Sequence, residues 1–170
     1  VIVNITSIPS VTLISDASQN TLYVGQLVTF TANPAGYINY SFYLNDSLVQ
    51  AGESNIYQTG SLINGNVISV TANNGACNSP EDSLAMIVLP IPNAFTPYSI
   101  DGRNDVFVKG LDLLIVNRWG QEIFNGKQGW DGKYDGTLVS PGTYYYVITL
   151  YSPDENKTIL KGAVTVIEKN

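Results

Sequence analysis

Residues 117–150 read NRWGQEIFNGKQGWDGKYDGTLVSPGTYYYVITL, and this stretch decides the fold. Turn signals punctuate it: Trp130-Asp131-Gly132, then Asp135-Gly136, then Pro141-Gly142. Asp-Gly and Pro-Gly pairs supply the special backbone angles of tight reversals, through glycine's tolerance of positive φ and proline's fixed φ. Residues 143–150 follow, so rich in β-branched and aromatic side chains that they read as a strand. Upstream, residues 113–116 form a second strand, broken by Asn117-Arg118-Trp119-Gly120. Residues 121–124 make a short third strand that closes toward Asn125-Gly126.

Working outward, the same texture extends to both ends. Residues 157–168 pair with 143–151 across a turn at 152–156. Alternation along them puts Ala163, Thr165 and Ile167 on one face and Val164, Val166 and Glu168 on the other. Residues 90–97 hold three prolines, which favour extended backbone and deny ladder donors; they suit an edge strand or a rigid connector. Before them lie seven strand candidates, at 11–14, 21–24, 27–32, 40–44, 56–59, 67–72 and 84–88, with residues 1–10 as a leader strand or linker. Asn45-Asp46-Ser47 is a hairpin turn between Tyr43-Leu44 and Leu48-Val49. No window has a 3.6-residue period, so helices are absent or trivial. The fold class expected is all-β: two antiparallel sandwiches of immunoglobulin type in tandem.

Charge supports the division. Every Lys and Arg lies at or after Arg103, whereas the first half carries only Asp16, Asp46, Glu53, Glu81 and Asp82. So sharp a shift predicts domains at 1–89 and 90–170. The net charge of −6 with no basic cluster makes nucleic acid and anionic membrane surfaces poor partners. No apolar run approaches the roughly 18 residues of a transmembrane helix. The start at Val1, without an initiator Met, leads us to expect an excised C-terminal piece of a longer protein.

Asn117-Arg118-Trp119-Gly120, Gly129-Trp130-Asp131-Gly132 and Pro141-Gly142-Thr143-Tyr144-Tyr145-Tyr146, in that order and spacing, resemble the gliding-motility-associated C-terminal domain. That family is the type B sorting domain of the type IX secretion system. Asn93-Ala94-Phe95-Thr96-Pro97, followed by Asp101-Gly102 and Asn104-Asp105, is similar to its opening motif, with Tyr98-Ser99-Ile100 lengthening the loop and 109–112 shortened. The resemblance covers 91–169. It implies a terminal sorting signal recognised by the type IX machinery at the outer membrane, and a protein at the cell surface or released from it. The residues implied are Asn117, Arg118, Trp119, Gly120, Trp130, Asp131, Gly132, Pro141, Gly142 and Tyr144. The first domain resembles the Ig-like or PKD-like modules of large surface proteins, and is expected to act as a spacer. Such modules often carry a cysteine pair; here Tyr23-Val24 occupies the first position, leaving Cys77 alone as a small buried apolar residue.

Chemistry is scarce. Without a single His, Ser and Cys triads lack their usual base and zinc its usual Cys/His set. Residues 60–65 lack the Gly-Lys-Ser/Thr ending of a phosphate loop. Asp101 with Asp105, and Asp131 with Asp135, could pair as glycosidase carboxylates, but Asp before Gly is turn chemistry and explains Asp101, Asp131 and Asp135. Asp101, Asn104 and Asp105 form a loop of hard oxygen ligands that could take calcium, although not at EF-hand spacing. Trp119, Trp130 and Tyr144–Tyr146 read as core aromatics first and as a carbohydrate platform second. Because a strand alternates faces, Tyr144 and Tyr146 lie opposite Tyr145. Matches to the glycosylation sequon, from Asn4 to Asn156, are chance in so Asn- and Thr-rich a chain. The function expected is sorting and anchoring without catalysis. The alternatives are a carbohydrate-binding or adhesive module, a purely structural stalk and, last, an enzyme.

Overall fold

Alternating apolar residues between Gly, Asn and Asp punctuation build the fold. The computed structural model describes residues 7–99 and 102–168. The chain divides into two compact units, Val1–Leu89 and Pro90–Asn170.

In the first unit the strands are β1 (Thr12–Ser15), β2 (Thr21–Tyr23), β3 (Val28–Asn33), β4 (Asn39–Leu44), β5 (Ser47–Gly52), β6 (Ile56–Thr59), β7 (Val67–Asn73), β8 (Asp82–Ala85) and β9 (Ile87–Leu89). They make two antiparallel sheets, β1-β3-β6 and β5-β4-β7-β8, with a short parallel pair β2-β9. Period-two alternation sends Val28, Phe30 and Ala32 of β3 inward to meet Tyr40 and Phe42 of β4 and Ile68, Val70 and Ala72 of β7, all buried. Tyr57 stands 6.2 Å from Phe30 and 5.7 Å from Phe42, ring centre to ring centre. Each ring fully withdrawn from water, such as Phe30 and Phe42, contributes about 1.5–3 kcal/mol. Tyr40 is buried with its hydroxyl satisfied twice. It donates to the Pro34 carbonyl at 2.7 Å and accepts the Tyr37 N–H at 3.1 Å. Asp82 ties the two sheets together, its carboxylate accepting the Leu13 N–H at 2.7 Å.

Five expectations need correction in this unit. Among the described residues nine strands stand where seven were expected. Residues 84–88 are not one strand: the main chain breaks at Met86, whose side chain is buried. There its N–H donates to Asn66 and its carbonyl accepts from Gly65, so β8 stays with β7 while β9 crosses to β2. The turn after β4 is tighter than Asn45-Asp46-Ser47, because Asn45 and Asp46 both take positive φ (47° and 65°). That geometry matches the twist of a two-residue hairpin, and Ser47 already opens β5. Cys77 is half-buried in the loop after β7, not in the core, and its N–H donates to Asn74 Oδ1. Of the leader, residues 1–6 (Asn4 included) lie outside the described residues, and 7–10 are not strand.

The second unit holds β10 (Ala94–Phe95), β11 (Asp112–Val116), β12 (Glu122–Gly126), β13 (Lys133–Tyr134), β14 (Thr137–Leu138), β15 (Gly142–Tyr151) and β16 (Lys157–Val166). Five of them form one sheet, β10-β16-β15-β11-β12, and β13-β14 is a separate hairpin. The proline-flanked β10 is an edge strand, and it runs parallel to β16. The β15–β16 ladder runs without a break from Gly142↔Val166 to Tyr151↔Lys157. On one face of the sheet Leu113, Ile115, Ile148 and Val164 are buried. Phe107 and Trp130 cover that face, joined to each other by a pair of main-chain bonds of 2.8 and 2.9 Å.

Candidate functional site

The motif residues divide between core and surface. Trp130 is fully buried. Its ring lies 5.1 Å from Phe95 and 5.1 Å from Tyr144, and its indole N–H donates to the Lys133 carbonyl at 3.0 Å. Asp131 caps the turn, accepting the Lys133 N–H at 3.1 Å and pairing with the Lys133 ammonium at 2.9 Å. Gly132 has φ +77°, and a Cβ there would run into the Pro97 ring. Only glycine allows that approach. Asp135 and Gly136, both at positive φ, close the β13–β14 hairpin. Trp130 and Gly132 belong to the domain's interior, and the exposed Asp131 and Asp135 serve the turns.

Asn117-Arg118-Trp119-Gly120 is built differently. The Asn117 side chain accepts the N–H groups of Trp119 and Gln121, both at 3.0 Å, and donates to Gln121 Oε1 at 3.0 Å. Its carbonyl accepts from Gly120, whose φ of +81° completes the reversal between β11 and β12. One asparagine thus rigidifies the turn from within, as short polar side chains do in Asx turns. The turn presents its other side chains outward. Trp119 is 75% exposed, and the Arg118 guanidinium lies 4.2 Å from its ring centre. An exposed indole covered on one side by a cation is a poor core residue and a good contact residue. The reading of Trp119 as a core aromatic is therefore corrected.

Arg118 and Trp119 form one wall of a groove of ≈ 430 Å3 whose other wall is Ser140, Pro141, Gly142, Thr143, Tyr144 and Tyr145. Arg118 is the one charged residue among those lining it. Two motifs separated by some twenty residues thus meet, because β15 starts at Gly142 whereas its neighbour β11 pairs with it only as far as Val116↔Tyr145. Tyr144 connects the groove to the core: its ring packs on Trp130 while its hydroxyl donates to the Ser140 carbonyl at 3.0 Å. Burial pushes the Tyr144 phenol above its ordinary value, the neighbouring Tyr98 adds to this, and the Arg118 cation opposes it. Tyr98 anchors the far side through a hydrogen bond to the Val139 carbonyl. The tyrosine alternation falls as expected for a strand: Tyr146 packs on Phe107 at 5.5 Å, and Tyr145 is 46% exposed.

Of the implied residues, Asn117, Arg118, Trp119, Pro141, Gly142 and Tyr144 line this groove, while Gly120, Trp130, Asp131 and Gly132 are not among the residues lining it. Ser140, Thr143 and Tyr145 complete it; sequence reasoning did not single out Ser140 or Thr143 as site residues, and it named Tyr145 only in the carbohydrate-platform alternative. The strand period places Thr143 and Tyr145 on one face, which was the available signal. Of the calcium candidates, Asp101 lies outside the described residues. Asp105 accepts the Gly102 N–H at 2.7 Å, and the Asn104 carbonyl accepts from Thr96 at 2.9 Å. Among the described residues no group of three His, Cys, Asp or Glu side chains could hold a metal ion.

Residues 89–166 match the family model of the CHU_C Type IX secretion signal domain. A type IX secretion signal marks export across the outer membrane to the cell surface. No curated protein matches the chain. Among solved structures, the chain is similar to the fibronectin(III)-like modules of Clostridium thermocellum CbhA (20% identity, 47% of this chain and 96% of that one, TM-score 0.39). It is also similar to a 1.5-MDa bacterial ice-binding adhesin (11% identity, 96% and 66%, TM-score 0.38). A third similarity is to SGBP-B of the Bacteroides ovatus mixed-linkage glucan utilization locus, solved with a mixed-linkage heptasaccharide (14% identity, 86% and 42%, TM-score 0.34). The chain spans less than two thirds of the last two. No helix among the described residues is long and apolar enough to cross a membrane.

Proposed function

We propose that residues 90–170 are a sorting and anchoring address read by the outer-membrane type IX machinery, and that residues 1–89 are an Ig-like spacer carried with it. The match of residues 89–166 to a type IX secretion signal domain supports this most directly. The address works by binding, without catalysis. Its contact surface is the groove where the Asn117 turn meets the start of β15, with Trp119 as the anchoring side chain. Trp130, Asp131 and Gly132 act through the fold: they hold Tyr144 and the groove wall in place.

A secretion assay tests this. A fluorescent protein with a periplasmic export signal is fused ahead of the whole chain, of residues 90–170 and of residues 1–89, in a host that has the machinery. Delivery to the surface or medium by the first two alone is the expected result. Retention of the whole-chain fusion in the periplasm, folded, would reject the reading.

The exposed Trp119 favours one second reading, a carbohydrate-binding or adhesive surface module, since an open indole face is what sugar rings stack on. Glycan binding lost in Trp119→Ala, with export unchanged, would favour it.

A further inference from the structure

We infer that the groove accepts one extended, acidic peptide segment of the secretion machinery, added as a short antiparallel strand against Thr143. This rests on the sorting reading above and names what the site would bind.

The ladder geometry carries the inference. Thr165 and Ile167 donate their N–H groups to Asn93 and Phe95, toward β10. Main-chain groups alternate sides along a strand, so Val164 and Val166 face β15 and bond Tyr144 and Gly142 there. Thr143 and Tyr145 therefore direct their own N–H and C=O the other way, toward β11. A second bond gives the same phase: Asn117 donates to Gln121 on the β12 side, which turns Val116 toward β15. Val116 meets Tyr145. The next rung would pair residue 118 with Thr143, but the chain has already turned away, and no strand among the described residues meets Thr143 on that side.

An N–H and C=O at ladder spacing, opening into a groove, is what an added strand uses. Pro141, two residues on, has no N–H and ends the ladder, so the added segment is short. Charge sets its character. Arg118 is the one charged residue among those lining the groove, and its place on Trp119 pre-organises the guanidinium fork for a carboxylate. Trp119 and Tyr145 supply exposed aromatic area beside it. A sugar could stack on Trp119 but has no particular use for a strand rung, which is why peptide is favoured.

The test uses the full chain behind the exported reporter. Thr143→Pro removes the groove-facing N–H and no donor to β16, whereas Thr143→Ala keeps it. Thr143→Pro and Arg118→Gln are expected to lower surface delivery roughly tenfold, the value of one well-placed hydrogen bond. Thr143→Ala, which trims a groove-lining side chain but keeps that N–H, is expected to lose clearly less delivery than Thr143→Pro. In parallel, the purified isotope-labelled chain is titrated with a hexapeptide of alternating Thr and Asp, its Thr/Asn analogue and a neutral oligosaccharide. The acidic peptide should shift the Thr143 amide and the Trp119 indole more than its analogue does. Parent-like export of folded Thr143→Pro, or indole shifts from the oligosaccharide alone, would overturn the inference while leaving the sorting reading intact. Failure of the unaltered chain to be exported removes both. If Thr143→Pro does not fold, Arg118→Gln and the titration decide.

Discussion

The indole of Trp130 meets the ring of Tyr144 edge to face, with centroids 5.1 Å apart and planes inclined by 61°. One partner is fully buried and the other lines the groove, so the domain's interior and its candidate contact surface share a wall. The two tryptophans should therefore separate by measurement. Trp130→Ala is expected to cost about 3–5 kcal/mol, as large aromatic truncations in cores do. Trp119→Ala should stay within about 0.5 kcal/mol of the parent, the range of surface changes. Urea unfolding of both variants checks the pair, and equal losses would contradict the division of roles.

Gly162 faces Tyr146 across the β15–β16 ladder, and a Cβ at 162 would overlap the Tyr146 phenol. The ring lies over the bare backbone there and continues into contact with Phe107. Gly162→Val should destabilise by about 1–3 kcal/mol through overpacking. Tyr146→Leu, by withdrawing the ring, should shrink that increment in a double-mutant cycle. An additive pair would mean that the overlap is relieved elsewhere.

In the first unit, Tyr40→Phe removes a buried hydroxyl that both donates and accepts. It leaves the Pro34 carbonyl and the Tyr37 N–H without that partner. The expected loss is about 1–3 kcal/mol, with little change in the surrounding ring packing. Thermal unfolding of the variant, with near-ultraviolet dichroism to report the aromatic cluster, measures it.

The raised Tyr144 phenol has an alkaline consequence. Burial favours its neutral form, so the folded value lies above the ordinary 10.0. The stability this provides is complete below pH 10 and is lost as pH rises through the folded value. Phenolate absorbance should show one tyrosine fewer ionising late in Tyr144→Phe. The fall of the urea midpoint above pH 10 should become shallower by the same substitution. An unchanged midpoint profile would place the coupling elsewhere, for example at Tyr23, which burial also raises.

The sequence by itself determined the strand content and the punctuation, because these depend on local physics. Positive φ at Gly132, Asp135 and Gly136 is written into Asp-Gly pairs, and the facing of Val164 and Val166 into a period of two. The 143–151 and 157–166 pairing was legible because a short turn leaves a hairpin little choice of partner. Sequence also supplied the three motifs of the second unit. What it left open was their separate fates. Trp119 and Trp130 are the same residue type in similar turns, and only the third dimension decides that Phe95, Phe107 and Tyr144 enclose one while the other stands in water. The break at Met86 depends on a turn at 65–66 that receives its main-chain bonds, and the parallel seat of β10 on a strand some seventy residues later. The groove needs β11 to end before it reaches the first residues of β15. Such relationships join residues distant in sequence through bonds and packing that no local window contains, so they belong to the tertiary structure alone.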